Sequence, residues 1–251
     1  MLNLELQPPR QRRKMQDRYA GDVGDYVKLA LIRALSAFGK IGVSWYLYPD
    51  ERHNEDGRHT AYLHERENWR HLDPELFDLL RETVLGRRSV RELQNAFYED
   101  SCFAAEPVPT GLPASERSAA RKSWFEKSLD QLAQCDLVFA DPDNGLVGDE
   151  DWRWRAPNFG KQIPLSEVRA LSAGRCAVIY HHNSRFKGGH DAEVESWLHA
   201  LGMPAIAVRA TAYSCRTFFV VNPDREIAER AREFCIKWKD HKVRLHASGV
   251  G

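Results

Sequence analysis

Several short clusters in this chain combine residue types and spacings that could do chemistry. Asp141-Pro142-Asp143-Asn144-Gly145 closes an apolar run and sets two acids two residues apart. Such acids can accept hydrogen bonds from an amine or ligate a hard cation. The same residues also make a plain turn, because Pro, Asp, Asn and Gly all favour one. His181-His182-Asn183 ends another apolar run. Alternation along a strand would bury one histidine and expose the other. Set beside Asp141 and Asp143 on a neighbouring strand, the pair would instead complete an oxygen and imidazole site. Trp152-Arg153-Trp154-Arg155 follows the acidic turn. Interleaved Trp and Arg can stack on bases and clamp phosphates, or the tryptophans can simply pin a loop to the surface. Lys161 and the run Arg185-Phe186-Lys187-Gly188-Gly189 add cations to the same rim, which would suit a phosphate-bearing substrate.

The elements that must position these clusters are legible from periodicity. Val27, Ala30, Leu31, Ala34, Leu35 and Phe38 recur at helical spacing, with Asp22 and Asp25 at cap and first-turn positions and Gly39 at the exit. Ile41 to Pro49 reads as a strand stopped by proline. From Asp50 to about Ser101 the chain is polar and mostly helical, with short helical patterns over Leu76–Leu85 and Val90–Tyr98. Ser115 opens an amphipathic helix that runs to about Gln134. The apolar runs CDLVFAD, RCAVIYHHN, MPAIAVRA and RTFFVVNP then alternate with helices over Pro164–Ser172, Ala192–Leu201 and Asp224 to about Lys239. The two strands on either side of Thr211–Cys215 are the exception, because no helix separates them. This order predicts an α/β protein, a doubly wound and mostly parallel sheet with helices on both faces. Those last two strands must form an antiparallel hairpin, since a parallel crossover needs about a dozen residues. Ligands of such sheets sit at the carboxyl ends of the strands. Tyr48-Pro49-Asp50, Asp141 to Gly145 and His181-His182-Asn183 all fall there.

Length and composition bound the rest. A chain of 251 residues with 43% hydrophobic side chains can bury one sizeable core. The division expected is a basic arm over 1–19, one α/β domain over 20–240 with a helical insertion at about 50–100, and a tail over 241–251. Basic and acidic residues balance at 36 each, so net charge argues for neither a nucleic-acid nor a membrane partner, and any such partner must be met by a local patch. No window approaches the roughly 20 apolar residues of a membrane span, and the first residues lack the apolar core of a signal peptide. Five widely spaced cysteines without a CxxC argue against a disulfide framework or a thiolate zinc site. The expectation is a cytoplasmic protein without a membrane partner.

The predicted layout, a doubly wound sheet ending in an antiparallel hairpin, resembles class I S-adenosylmethionine-dependent methyltransferases. Asp141-Pro142-Asp143-Asn144 is similar to the Asp-Pro-Pro-Tyr strand end of amino-group methyltransferases, with Asp143 at the second proline and Asn144 at the aromatic. Ala20-Gly21-Asp22-Val23-Gly24-Asp25-Tyr26-Val27-Lys28 resembles the Ala-Gly-Asn-x-x-Asp-x-x-Lys-His helix of the bacterial enzyme that methylates an adenine amino group in large-subunit ribosomal RNA, with Leu29 at the histidine. That family carries a glycine-rich cofactor loop after its first strand, where this chain has no glycine until Gly57. The Asp-Pro-Asp-Asn-Gly strand end is also similar to that of a bacterial family with no activity attached to it. The resemblance implies an S-adenosylmethionine-binding protein acting on an amino group of a nucleic-acid base. It puts Asp25, Lys28, Tyr48 and Asp50 at the cofactor, and Asp141, Pro142, Asp143 and Asn144 at the catalytic turn. Trp152, Arg153, Lys161, His181, His182 and Arg185 would face the substrate. Two other readings stand beside it. One is a metal-dependent phosphodiesterase or nuclease built on Asp141, Asp143 and His181 or His182. The other is a non-catalytic binding module on a degenerate methyltransferase fold.

Overall fold

The structure, a computed structural model, describes residues 20–36, 39–49, 59–86 and 88–247. Asp50, the glycine at 57, the basic arm, Phe38 and the end of the chain lie outside them. Helix α1 (Val23–Leu35) is capped by Asp22, whose side chain accepts the Asp25 amide at 3.0 Å. Periodicity predicts one apolar face on it, yet Tyr26, Leu29 and Ile32 are buried as well. Helices α3 (Pro74–Leu85) and α7 (Arg225–Lys237) both pack against α1, so it is enclosed on several sides.

Among the described residues the central sheet has seven strands. Strand β1 (Ile41–Trp45) lies between β2 (Cys102–Ala104) and β3 (Leu137–Asp141), and β6 (Cys176–His182) follows β3; all four are parallel. Strand β8 (Arg216–Val221) runs antiparallel between β6 and β7 (Ala205–Ala210), and β9 (Val243–Leu245) pairs antiparallel with the outer side of β7. The order is therefore β2-β1-β3-β6-β8-β7-β9. The expected hairpin is present, with Arg209 opposite Thr217 and Ala210 opposite Arg216. Residues 243–245, expected within a tail, instead form the outermost strand: Val243 is buried and Arg209 pairs with Arg244.

Side chains alternate between the faces of the sheet as the pleat requires. Leu137 and Phe139 join a core with α1, α3 and α7, while Val138 and Ala140 join one with α4 (Ala114–Gln131), α5 (Leu165–Leu171) and α6 (Gly189–Leu201). Among its described residues, the connection from β1 to β2 holds the short α2 (Arg66–Trp69), α3 and three 3₁₀ turns. Its Trp69, Leu76, Phe77 and Leu80 belong to the same core as α1, so this insertion shares the core of the sheet. Val90–Tyr98, read as a short helix, is a 3₁₀ turn over Glu92–Ala96, and α4 stops at Gln131. A second, two-stranded parallel sheet, β4 (Gly145–Val147) with β5 (Gln162–Pro164), has no counterpart in the sequence reading. Among the described residues no helix is long and apolar enough to cross a membrane.

Candidate functional site

From β1 the chain moves to β2 on one side, whereas β3 lies on the other side of β1 and leads away to β6. The gap between the carboxyl ends of β1 and β3 is thus the topological switch point, where open α/β sheets hold their ligands. Trp45 and Asp141 pair in register there.

Helix α1 lays a polar stripe along this gap. Asp22, Asp25 and Lys28 are three residues apart, so they stack on one helical face. The Lys28 Nζ lies 2.8 Å from Asp25 Oδ1 and 2.8 Å from Asp141 Oδ2. The rings of Trp45 and Tyr180 approach it to 5.7 and 5.8 Å. Asp25 Oδ2 also accepts the Gly21 amide at 2.9 Å. From β8, Arg216 Nη2 reaches to 3.9 Å from Asp22. A Cβ on Gly24 would sit 2.5 Å from the Arg216 Cζ, so this glycine is what lets the guanidinium lie on the helix.

Burial opposes charge on Lys28, but Asp141 and Asp25 overcome it and hold its pKa above the ordinary lysine value. Burial likewise raises the Asp141 carboxyl, and Lys28 only partly offsets this because Asp25 and Asp143 add negative potential. Asp22 is raised by burial and by Asp25, against Arg216 and Lys28. The site is a low-dielectric cluster of Asp22, Asp25, Asp141 and Asp143 threaded by Lys28 and Arg216, with Lys161 3.7 Å from Asp143. The Trp45 indole N–H beside it is buried and has no hydrogen-bond partner among the described residues.

The acidic turn is held from beneath. Gly145 has φ +91°, and a Cβ there would lie 2.4 Å from His181 Nδ1, so the turn needs glycine for both conformation and space. The Asn144 amide donates to the Lys161 carbonyl at 2.8 Å. Lys161 Nζ stands 5.0 Å over the Tyr48 ring, and the Tyr48 hydroxyl donates to the Pro157 carbonyl at 3.4 Å.

The expected site residues therefore divide. Asp25, Lys28 and Asp141 meet directly; Tyr48, Asp143, Asn144 and Lys161 gather next to them, and Pro142 is buried beneath. His181 and His182 separate as alternation requires, the first buried and the second exposed. His181 spends both ring nitrogens on hydrogen bonds to Leu146 and Glu193, and among the described residues no group of three or more His, Cys, Asp or Glu could hold a metal ion. Arg153 opens a 3₁₀ turn (Arg153–Arg155) with Trp152 at its N-cap, lies 4.5 Å from the Trp152 ring and pairs with Glu150 at 2.5 Å. Arg185 is exposed on the loop after β6.

Sequence reading missed Trp45, Tyr180, Glu193 and Arg216 as parts of this assembly. A signal existed for Glu193, which falls at i, i+4, i+8 with Trp197 and Leu201 on the packed face of α6. None existed for Arg216, whose partner Asp22 lies at the other end of the chain. No protein-family model matches this sequence, and no curated protein matches it either.

Proposed function

We propose that the gap between β1 and β3 binds S-adenosylmethionine and that the protein transfers its methyl group to an amino group of a nucleic-acid base. The observation that carries this reading is the 2.8 Å contact of Lys28 with Asp141 at the switch point. It joins the two motifs on which the resemblance rests. The antiparallel β8 beside β7 supports it too, because a doubly wound sheet ending in such a hairpin is the layout of class I methyltransferases. The residues present fit the cofactor in charge: clustered carboxylates outnumber the nearby cations, and the Trp45 N–H, without a partner among the described residues, offers a donor. When bound, S-adenosylmethionine supplies an electrophilic methyl group, so transfer depends on alignment rather than on a covalent intermediate.

Asp141 accepts a hydrogen bond from the target amine and orients its lone pair. A carboxyl whose proton affinity burial has raised is a strong acceptor for that task. Asp25 keeps Lys28 charged and in place when the amine takes its position on Asp141. Asn144 stands exposed at the rim of the turn, where a base arrives. Trp152, Phe186 and Tyr213 are exposed aromatics, and Arg185 and Lys187 flank Phe186 on the loop after β6. Their combination supports a substrate with stacked bases and phosphates.

Calorimetric titration with S-adenosylhomocysteine, with thermal stability followed in parallel, tests the reading. Micromolar binding, weakened at least about tenfold in Lys28→Met, is expected; a tenfold loss corresponds to about 1.4 kcal/mol. No binding at millimolar ligand would sink the cofactor assignment. With a substrate in hand, Asp141→Ala should abolish turnover while the fold persists, and wild-type turnover in that variant would remove Asp141 from the mechanism.

A further inference from the structure

We infer that His181 is a positioning residue for the Asp141–Gly145 turn, holding it in place while the imidazole is neutral and releasing it on protonation. The Leu146 amide donates to His181 Nδ1 at 3.0 Å, so this nitrogen carries no proton. The single ring proton then sits on Nε2, which faces Glu193 Oε1 at 3.2 Å. The turn lies directly on the ring, since a Cβ on Gly145 would come within 2.6 Å of the His181 Cα.

A second proton can go only to Nδ1. There it would set N–H against the N–H of Leu146, replacing a hydrogen bond with a repulsion in a site that is 3% exposed. Strand β4 begins at Gly145, and its pairing of Leu146 with Ile163 depends on the same backbone. So does the Asn144 to Lys161 hydrogen bond. Loosening Leu146 therefore loosens the segment that carries Asp141, Asp143 and Asn144.

The surroundings of the ring settle its charge. Helix α6 presents Glu193 and the Trp197 ring, the latter at 5.8 Å; β8 presents the Phe219 ring at 5.8 Å; His182 adjoins on β6; and β4 presents the backbone of Gly145 and Leu146. Burial disfavours the imidazolium most, Glu193 favours it and His182 disfavours it, leaving the pKa below the ordinary histidine value. Glu193 is already engaged by Asn183 Nδ2 at 3.0 Å, the Ser184 amide at 3.0 Å and the Ser184 hydroxyl at 2.7 Å. Asn183 in turn accepts the Thr217 hydroxyl at 2.8 Å, which ties the same knot to β8.

This inference rests on the cofactor reading only for what the turn does, and the test keeps the two apart. Protection of the Leu146 amide is followed by nuclear magnetic resonance exchange from about pH 8 to about pH 5 in the wild type and in His181→Asn, whose Oδ1 can accept as Nδ1 does but does not titrate. Calorimetry with S-adenosylhomocysteine covers the same range. In the wild type, Leu146 protection should fall about tenfold or more against the Val178 and Phe219 amides as the pH falls below the ordinary histidine value and the ring protonates. It should stay constant in His181→Asn, and wild-type ligand affinity should follow it, falling up to about tenfold per pH unit once the ring protonates. Leu146 protection that stays unchanged while the His181 ring nitrogen shifts report protonation, or the same loss in His181→Asn, overturns the inference. Absence of ligand binding at about pH 8 defeats the cofactor reading alone, because the amide data still decide the role of His181. Should the variant not fold, the wild-type ring nitrogen shifts decide instead: an unprotonated Nδ1 at about pH 8 is expected, and a protonated one overturns the inference.

Discussion

At the scale of single residues, Lys28 is the most exacting position. It is buried to 8% exposure between two carboxylates, so its removal strands buried negative charge. Lys28→Met should lower the unfolding free energy by about 3 kcal/mol, measured by urea denaturation. Adding Asp141→Asn should cost much less than the sum of the single changes, because the two share one interaction. A single-variant loss below about 0.5 kcal/mol would mean that solvent screens the pair far more than its burial implies. Gly145→Ala combines a left-handed backbone with a Cβ driven into His181, and should cost about 2–4 kcal/mol. Equal stability and retained Leu146 protection in that variant would show that the turn can shift off the histidine.

Between elements, two ion pairs of similar appearance should differ several-fold in worth. Arg121 on α4 holds Glu167 on α5 through Nε at 2.8 Å and Nη2 at 2.9 Å, both residues being 3% exposed, and the Tyr46 hydroxyl donates to the same carboxylate at 2.9 Å. Glu167→Ala leaves a guanidinium buried among the rings of Tyr46, Trp124 and Phe159 and should cost about 3–5 kcal/mol. Glu226 and Arg230 also meet on α7, at 2.7 Å, but there the carboxylate side chain is 65% exposed. Glu226→Ala should cost no more than about 0.5 kcal/mol. Denaturation of the two variants side by side checks the contrast, and equal losses would contradict the burial argument.

For the whole molecule, the pH dependence of stability follows from the groups that folding perturbs. His181 is lowered from 6.5, so its contribution is fully present above about pH 6.5 and is lost as the pH falls through its folded value. The slope reaches at most about 1.4 kcal/mol per pH unit for one group. Burial raises the Glu193 carboxyl, but the donors of Ser184, Asn183 and His181 outweigh it and lower the pKa from 4.5, opening a second window of loss at more acid pH. Urea denaturation at stepped pH should show stability declining from about pH 6.5 downward in the wild type and less steeply in His181→Asn, where His241, also lowered by burial, still contributes. A flat wild-type profile would mean that the histidine is not held neutral by the fold.

The sequence by itself determined the alternation of strands and helices, the closing hairpin and the motifs that end the strands. Burial and solvation repeat along one element at the period of that element, so Leu137 to Ala140 and the α1 face are legible without a partner. That one of His181 and His182 turns inward was also legible, from the period of two. Only the tertiary structure decided that it is His181, because Gly145 and Leu146 come to rest on that face. It alone decided that Lys28 meets Asp141, 113 residues away, and that Arg216 lies on Gly24. Strands of three residues such as β2 and β9 are too short to show alternation and exist because a neighbouring strand offers its edge. Local periodicity says which side of an element is buried. Which buried polar groups face one another follows from strand order and register, which depend on every element at once.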